Sequence, residues 1–276
     1  MVYSQEQSGT DLEKKTEQEK QLRGWKKKLD AYFTVNQYSY SNWSKGGVDF
    51  FSWSSRVVAD FKFQGNKWAW ELTHLMEFGQ SKQGDQQVRN SKDRIRFDGA
   101  VMRSIKPFFK YYLGISALTQ FTKGYDYQMT PSELQSDFWD PVYLTQSAGV
   151  QLQVQDIFES KIGVGFQEVI TDRFVKYSDN SRTDNIEKYS VKEGIESKTK
   201  FDMQVLENLH IRSTLNMFSS FAQFQEADVF WDTLFSSKVT DIISFSFNVQ
   251  MIYDNDVLDK VQLKEELGIA LMFNVI

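Results

Sequence analysis

The sequence has 276 residues, with 37 acidic against 32 basic side chains, a formal net charge of -5, no cysteine and three prolines. Its 23 Phe, 12 Tyr and 7 Trp exclude a disordered chain, and the mild acidity leaves no electrostatic footprint for nucleic acid. Without cysteine, disulfides, thiolate metal sites and cysteine nucleophiles are all excluded.

Taken in chain order, the start Met1-Val2-Tyr3-Ser4-Gln5 lacks the basic and apolar regions of a secretory signal, so an exported form is expected to have lost its leader before this numbering begins. Residues 10–23 mix both charges with few apolar positions, which predicts a short solvated helix or a disordered arm over 1–23. No stretch approaches the roughly 18 apolar residues of a spanning helix, which excludes an α-helical membrane protein. From Gly24 to the end, apolar residues recur with period two. Ile243, Phe245, Phe247, Val249, Met251 and Tyr253 share one face, and Ser244, Ser246, Asn248 and Gln250 share the other. The same alternation recurs in Val150, Leu152 and Val154, in Leu209, Ile211, Leu215 and Met217, in Ile95, Phe97 and Val101, and in Leu267, Ile269, Leu271 and Phe273.

This patterning predicts twelve strands, starting near residues 27, 51, 66, 92, 107, 143, 160, 189, 208, 227, 241 and 261. Tight turns are expected at Gly65-Asn66, Lys106-Pro107, Glu159-Ser160, Glu207-Asn208 and Val239-Thr240. Long connections are expected at residues 41–50, 80–91, 122–142, 174–188, 221–226 and 254–260. In a meander, short and long connections that alternate fall at opposite ends, as they do in outer-membrane barrels. Pro107 falls in a turn, and Pro131 and Pro141 fall in the longest loop, so no proline interrupts a ladder.

A soluble β-sandwich would also need one apolar face per strand, but twelve strands closed around apolar side chains would leave a void. The reading is therefore an all-β fold: one transmembrane up-and-down antiparallel barrel over 24–276. Glu168, Glu193 and Glu265 are expected near the long-loop ends of the lipid face. Trp68, Trp70, Trp231, Phe235 and Phe273 are expected at the lipid interface, with Trp231 and Phe235 approaching a short turn. His74 falls by parity on the outward face between Leu72 and Met76, which implies either a bulge or a misplaced strand.

Several segments carry a resemblance. They are Ser41-Asn42-Trp43-Ser44-Lys45-Gly46-Gly47, Gly65-Asn66-Lys67-Trp68-Ala69-Trp70-Glu71-Leu72, Gly79-Gln80-Ser81-Lys82-Gln83-Gly84-Asp85 with Ser91-Lys92-Asp93, and Thr119-Gln120-Phe121-Thr122-Lys123-Gly124-Tyr125. Later come Asp137-Phe138-Trp139-Asp140-Pro141-Val142-Tyr143-Leu144, Asp228-Val229-Phe230-Trp231 and Ile252-Tyr253-Asp254-Asn255-Asp256. As a set these resemble the uncharacterised outer-membrane β-barrels of Bacteroidota and relatives, a domain of unknown function, over most of the chain from Gly24 onward. Two features depart from that family: Leu72, not Asn, follows Glu71, and the chain ends Asn274-Val275-Ile276 rather than at an aromatic residue. The resemblance implies an envelope barrel with no established activity. It also implies a last strand that resembles the signal read by the outer-membrane insertion machinery.

Parity places Asp60, Lys62, Glu71, Arg94, Arg96, Asp98, Lys110, Lys192, Glu196, Lys198, Lys200, Asp202, His210, Arg212, Asp232, Lys264 and Glu266 inward. They predict either a salt-bridged, partly plugged lumen or a conduit in which Arg94 and Arg96 attract an anion opposite Lys198 and Lys200. Catalysis would need a nucleophile beside a base, but only His74 and His210 exist, and Glu71 with Asp98 sits among arginines. No metal spacing or phosphate loop appears, so neither an enzyme, a metal nor a cofactor is expected. Residues 122–142 present Tyr125, Tyr127, Phe138 and Trp139 with Asp126, Glu133 and Asp140, a surface suited to a carbohydrate or protein partner, or a lid. The expected location is the bacterial outer membrane. The expected partners are its lipid, the insertion machinery and an envelope neighbour met through the loops or the arm.

Overall fold

The computed structural model describes residues 24–41, 47–106, 108–127, 129, 131–180, 183–222, 224, 227–254 and 258–274; the arm expected over 1–23 lies outside them, as does Pro107. The strands, in chain order, are β1 (Gly24–Tyr38), β2 (Phe50–Gln64), β3 (Trp68–Gln83), β4 (Arg89–Lys106), β5 (Phe109–Thr119), β6 (Gly124–Asp126) and β7 (Glu133–Ser136). They continue as β8 (Val142–Val154), β9 (Phe158–Ile170), β10 (Tyr189–Leu206), β11 (Leu209–Ser220), β12 (Ala227–Lys238), β13 (Ile243–Asp254) and β14 (Leu258–Asn274). Twelve of them close into one antiparallel barrel in which each strand pairs with its sequence neighbour, β5 pairs directly with β8, and β14 returns to β1. The small hairpin β6–β7 stands apart, within the longest loop. A single closed sheet has no facing partner sheet, which excludes the sandwich.

Every barrel strand starts within three residues of its expected position. One turn is displaced, because Glu159 and Ser160 belong to β9 and the chain reverses at 155–157, where Gln155 adopts φ 52. The β3–β4 connection is shorter than expected, because the ladder runs on to Gln83 and resumes at Arg89 around Gly84 at φ 53. At His74 the ladders are regular on both sides, against Ala59 and Phe97, so neither a bulge nor a misplaced strand is needed. Its ring meets Phe97 edge-on at 6.4 Å on the outward face.

The strands tilt strongly. The chain of cross-strand partners Asp30, Val58, Leu75, Arg96, Leu118, Tyr143, Val169 and Ser190 climbs from the lower part of β1 to the long-loop end of β10. Such stagger is what closure of a sheet requires. The closing seam is the shortest, with six residue pairs between Asp30–Val35 and Asn274–Ile269.

Burial is inverted relative to a water-soluble domain. Leu113 and Leu267 are 67% and 68% exposed, whereas Asp30 and Gln151 are each 1% exposed. Glu77, Lys110, Glu159, Lys161 and Asp232 are also buried. Ala69, Ala100, Met102 and Tyr112 form a small buried apolar cluster.

Candidate functional site: a cross-bridged lumen

Strands that are not neighbours in a closed barrel touch only across its interior, so contacts of that kind define the lumen. Lys198 of β10 pairs with Asp98 of β4, and Lys161 of β9 pairs with Glu71 of β3. Lys92 of β4 reaches Glu266 of β14 at 2.7 Å, Arg94 reaches Asp232 of β12 at 3.6 Å, and Arg212 of β11 reaches Asp30 of β1 at 3.9 Å. Lys264 Nζ donates to the Ser91 carbonyl at 2.9 Å, again from β14 to the end of β4.

Shorter-range bonds hold these groups in place. The Arg96 guanidinium donates to both Asp98 oxygens, at 2.8 and 3.1 Å. Glu77 takes Arg94 at 2.6 Å and Lys92 at 3.4 Å, and Glu159 takes Lys161 at 3.3 Å. Asp202 is held by His210 at 2.6 Å and Arg212 at 2.8 Å, Asp60 accepts from Thr73 at 2.7 Å, and Asp232 accepts from Asn248 at 2.7 Å. Each of these charges thereby meets an opposite charge or a hydrogen-bond partner, which offsets its desolvation. The interior holds several cavities, and the two largest share the lining residues Lys62, Gln153, Gln155, Asp156 and Glu159. A central cavity of about 170 Å³ is lined by Arg94, Arg96, Asp98, Lys198, Lys200 and Arg212, among others. A water-sized space of about 30 Å³ includes Glu71, Lys161 and Glu196, and a vestibule of about 720 Å³ lies at the short-turn end, where Lys62 and Lys110 face it.

Lys192 lies half-buried in β10, on the same parity as Glu196 and Lys198. Glu71 and Asp98 are each taken by a lysine, which leaves neither as a free acid–base pair. Among the described residues, no group of three His, Asp or Glu side chains could hold a metal.

Sequence reasoning missed Asp30, Arg56, Glu77, Lys92, Glu159 and Lys161. The displaced turn explains Glu159 and Lys161, which a strand starting at 160 leaves at its edge. Lys92 was the first residue of a strand expected to start there. Parity of Lys28, Asp30 and Tyr32 within β1 was a usable signal for Asp30.

On the outward side, Trp68 and Trp70 open β3 and are 52% and 53% exposed, with the Arg103 guanidinium 5.9 Å from the Trp68 ring. Trp25 and Phe63 meet at 5.2 Å by the same rim. Phe273 is exposed near the end of β14, and Phe235 stacks on Phe247 at 6.0 Å. Trp231 is the fifth residue of β12, nearer the long-loop end than the short turn, because β12 descends from the loop at 221–226. Its indole N–H donates to Ser213 Oγ at 2.9 Å. Glu168 and Glu193 stand close to the long-loop ends of β9 and β10, whereas Glu265 lies seven residues past the start of β14.

The two longest loops are tied together. The Asp140 carboxylate accepts the backbone N–H groups of Asp172 and Arg173 at 3.1 and 2.7 Å, so it faces the neighbouring loop rather than forming an outer acidic surface. Gln120 Nε2 donates to the carbonyls of Asp137 and Asp140. Between those two residues Phe138 and Trp139 are exposed, with Trp139 at φ 60. Tyr125 and Tyr127 sit 6.0 Å apart, with Arg89 over the Tyr127 ring. Asp172 accepts from Lys188 at 2.6 Å, and this hydrogen bond, together with the lysine charge, holds its carboxyl below the ordinary carboxylate value.

Residues 35–125 match the family described as Protein of unknown function (DUF3078), and residues 148–274 match Protein of unknown function, DUF481. The two matches divide one closed barrel. No curated protein matches the chain. Among solved structures, the chain is similar to the translocator domain of autotransporter NalP from Neisseria meningitidis at 8% identity and a TM-score of 0.41, covering 97% of this chain and 98% of that one. An outer membrane channel from Pseudomonas putida F1 follows at 9% identity and a TM-score of 0.40, over 89% and 93%. The KdgM porin has 10% identity and a TM-score of 0.34, over 89% and 99%.

Proposed function

We propose that the chain is a bacterial outer-membrane barrel of the Bacteroidota-like kind, without catalytic activity, serving as a structural or accessory component of the envelope. The observation that carries this reading is the inverted burial, with Leu113, Ile162, Phe245, Leu263 and Leu267 exposed outside and ion pairs spanning the inside. Acyl chains tolerate such a surface, whereas water does not. Ion pairs carried by the strands themselves partly plug the lumen. Outer-membrane lipid is the first partner, and the insertion machinery is the second. The tied loops offer contacts to a neighbouring envelope protein.

Reconstitution into planar bilayers tests the plugged lumen: the expected result is no steady single-channel current. Monodispersity in plain buffer, or loss of heat-modifiable migration on a denaturing gel, would overturn the membrane assignment. A second reading, a passive conduit for small anions, is favoured by the seven cations Arg56, Lys62, Arg94, Arg96, Lys198, Lys200 and Arg212 around the central cavity, set against the six acids Asp60, Asp98, Asp156, Glu159, Asp202 and Asp232. Anion-selective current in the same bilayers would select it.

A further inference from the structure

The vestibule at the short-turn end has features that the ion-pair network does not account for. Its volume of about 720 Å³ lies in the range of small-molecule pockets. Five lysines line it: Lys26, Lys62, Lys67, Lys106 and Lys110. Lys26 is matched by Asp156 at 3.1 Å, whereas, among the described residues, none of the other four has a carboxylate within ion-pair distance. Glu71 and Glu159, the other acids on the vestibule wall besides Asp156, are both engaged by Lys161.

Lys110 is buried, and its Nζ donates to two amide oxygens, Gln64 Oε1 and Gln153 Oε1, each at 3.1 Å. An ammonium has three protons, so one donor remains; the groups it touches directly are neutral amides, and Glu159 and Asp156 act on its charge only from beyond ion-pair distance. Gln151 lines the same space and is 1% exposed, and its Oε1 accepts no hydrogen bond. A buried acceptor left without a donor costs about 1–3 kcal/mol. The wall therefore presents a lysine with a spare donor and an unmatched acceptor at paired positions of neighbouring strands.

We infer that this vestibule is a binding site for a compact anion that also bears hydroxyl groups, such as a hydroxy acid or a sugar acid. The anion's oxygens take the third Lys110 proton and lie in the field of Lys62, Lys67 and Lys106, while a hydroxyl donates to Gln151 Oε1. Ala69 and Met102 supply an apolar wall for the carbon skeleton. A carboxylate without hydroxyls leaves Gln151 unsatisfied, and a neutral sugar leaves the lysines unmatched. The site opens at the short-turn rim, so binding needs no passage through the barrel and is measured without conductance.

The test is titration calorimetry of the full chain in dodecyl maltoside micelles with sodium gluconate, glucose and sodium acetate at constant ionic strength. Gluconate is expected to bind saturably and more tightly than either comparison ligand. Lys110→Gln is expected to weaken gluconate at least about tenfold, as loss of a charge-assisted bond does, with Lys110→Arg retaining most of the affinity. Gln151→Leu is expected to weaken gluconate several-fold while leaving acetate unchanged. Heat-modifiable migration verifies that each variant is folded. The inference falls if wild-type protein gives no saturable gluconate signal, if glucose binds equally well, or if folded Lys110→Gln and Lys67→Gln variants both bind gluconate like wild type.

Discussion

Asp98 is the acceptor on which two cations of the lumen converge, and its replacement tests whether the cross-barrel pairs hold the wall together. In Asp98→Ala, Arg96 loses both bonds of its bidentate contact and Lys198 loses its partner across the lumen. Breaking a buried pair by removing one partner costs about 3–5 kcal/mol, because the remaining charge stays desolvated. The Asp98 side chain is 17% exposed and Lys198 11%, so water relieves little of this. With a urea slope of roughly 3 kcal/mol per M, the unfolding midpoint should fall by about 1 M or more. Lys198→Met makes the complementary comparison. Asp98 then keeps both hydrogen bonds from Arg96, so the cost should be only that of one charged hydrogen bond, about 1.5–3 kcal/mol. Tryptophan fluorescence in phospholipid vesicles follows both, under conditions where folding and unfolding traces coincide. A midpoint for Asp98→Ala that stays within error of wild type, or a larger loss for Lys198→Met, would refute the assignment of Asp98 as the hub.

Three further outcomes are expected. A Cβ added at Gly149 would fall 2.1 Å from the Ile162 carbonyl oxygen, and one at Gly163 would fall 2.4 Å from that of Ala148. Gly149→Ala and Gly163→Ala should each cost about 1–3 kcal/mol, read as a lowered urea midpoint, because backbone atoms of a paired strand cannot move aside. Asp140→Ala removes the acceptor for the Asp172 and Arg173 N–H groups, and limited trypsin digestion at Arg173 and Lys176 should accelerate about tenfold. Unchanged digestion kinetics would show that the loops are held by other contacts. The Asp172 carboxyl is depressed by Lys188, so its tie persists at neutral pH, where both groups are charged, and is lost only as pH falls through the lowered folded value, below about 4. Lys188→Gln should move that titration upward in a carbon-detected NMR experiment.

Much of the fold was legible in the chain because a sheet with oil on one side and charge on the other writes its period directly into the residues. Ile243 to Tyr253 reads as a strand by alternation alone, and β13 occupies Ile243–Asp254. Errors arose where the alternation is weak. Val154, Gln155, Asp156, Ile157 and Phe158 offer no glycine or proline to mark the reversal, and the turn depends on Gln155 entering the left-handed region. The hairpin β6–β7 was not visible in residues 122–142, because strands of three and four residues are too short for a period to be counted. Asp140 read as a surface acid, although its partners are backbone N–H groups of a loop about thirty residues away, which no side-chain pattern announces.

Strand number, the segregation of short turns from long loops, and the polarity of each face follow from the sequence, since each depends on residues close together in the chain. The pairing inside the lumen does not. Lys198 meets Asp98 across 100 residues and Lys161 meets Glu71 across 90. Parity tells which face a side chain occupies but not its height along the barrel. Height is set by the stagger accumulated around the closed sheet, so only the assembled barrel decides which charges stand level and which space beneath them stays open.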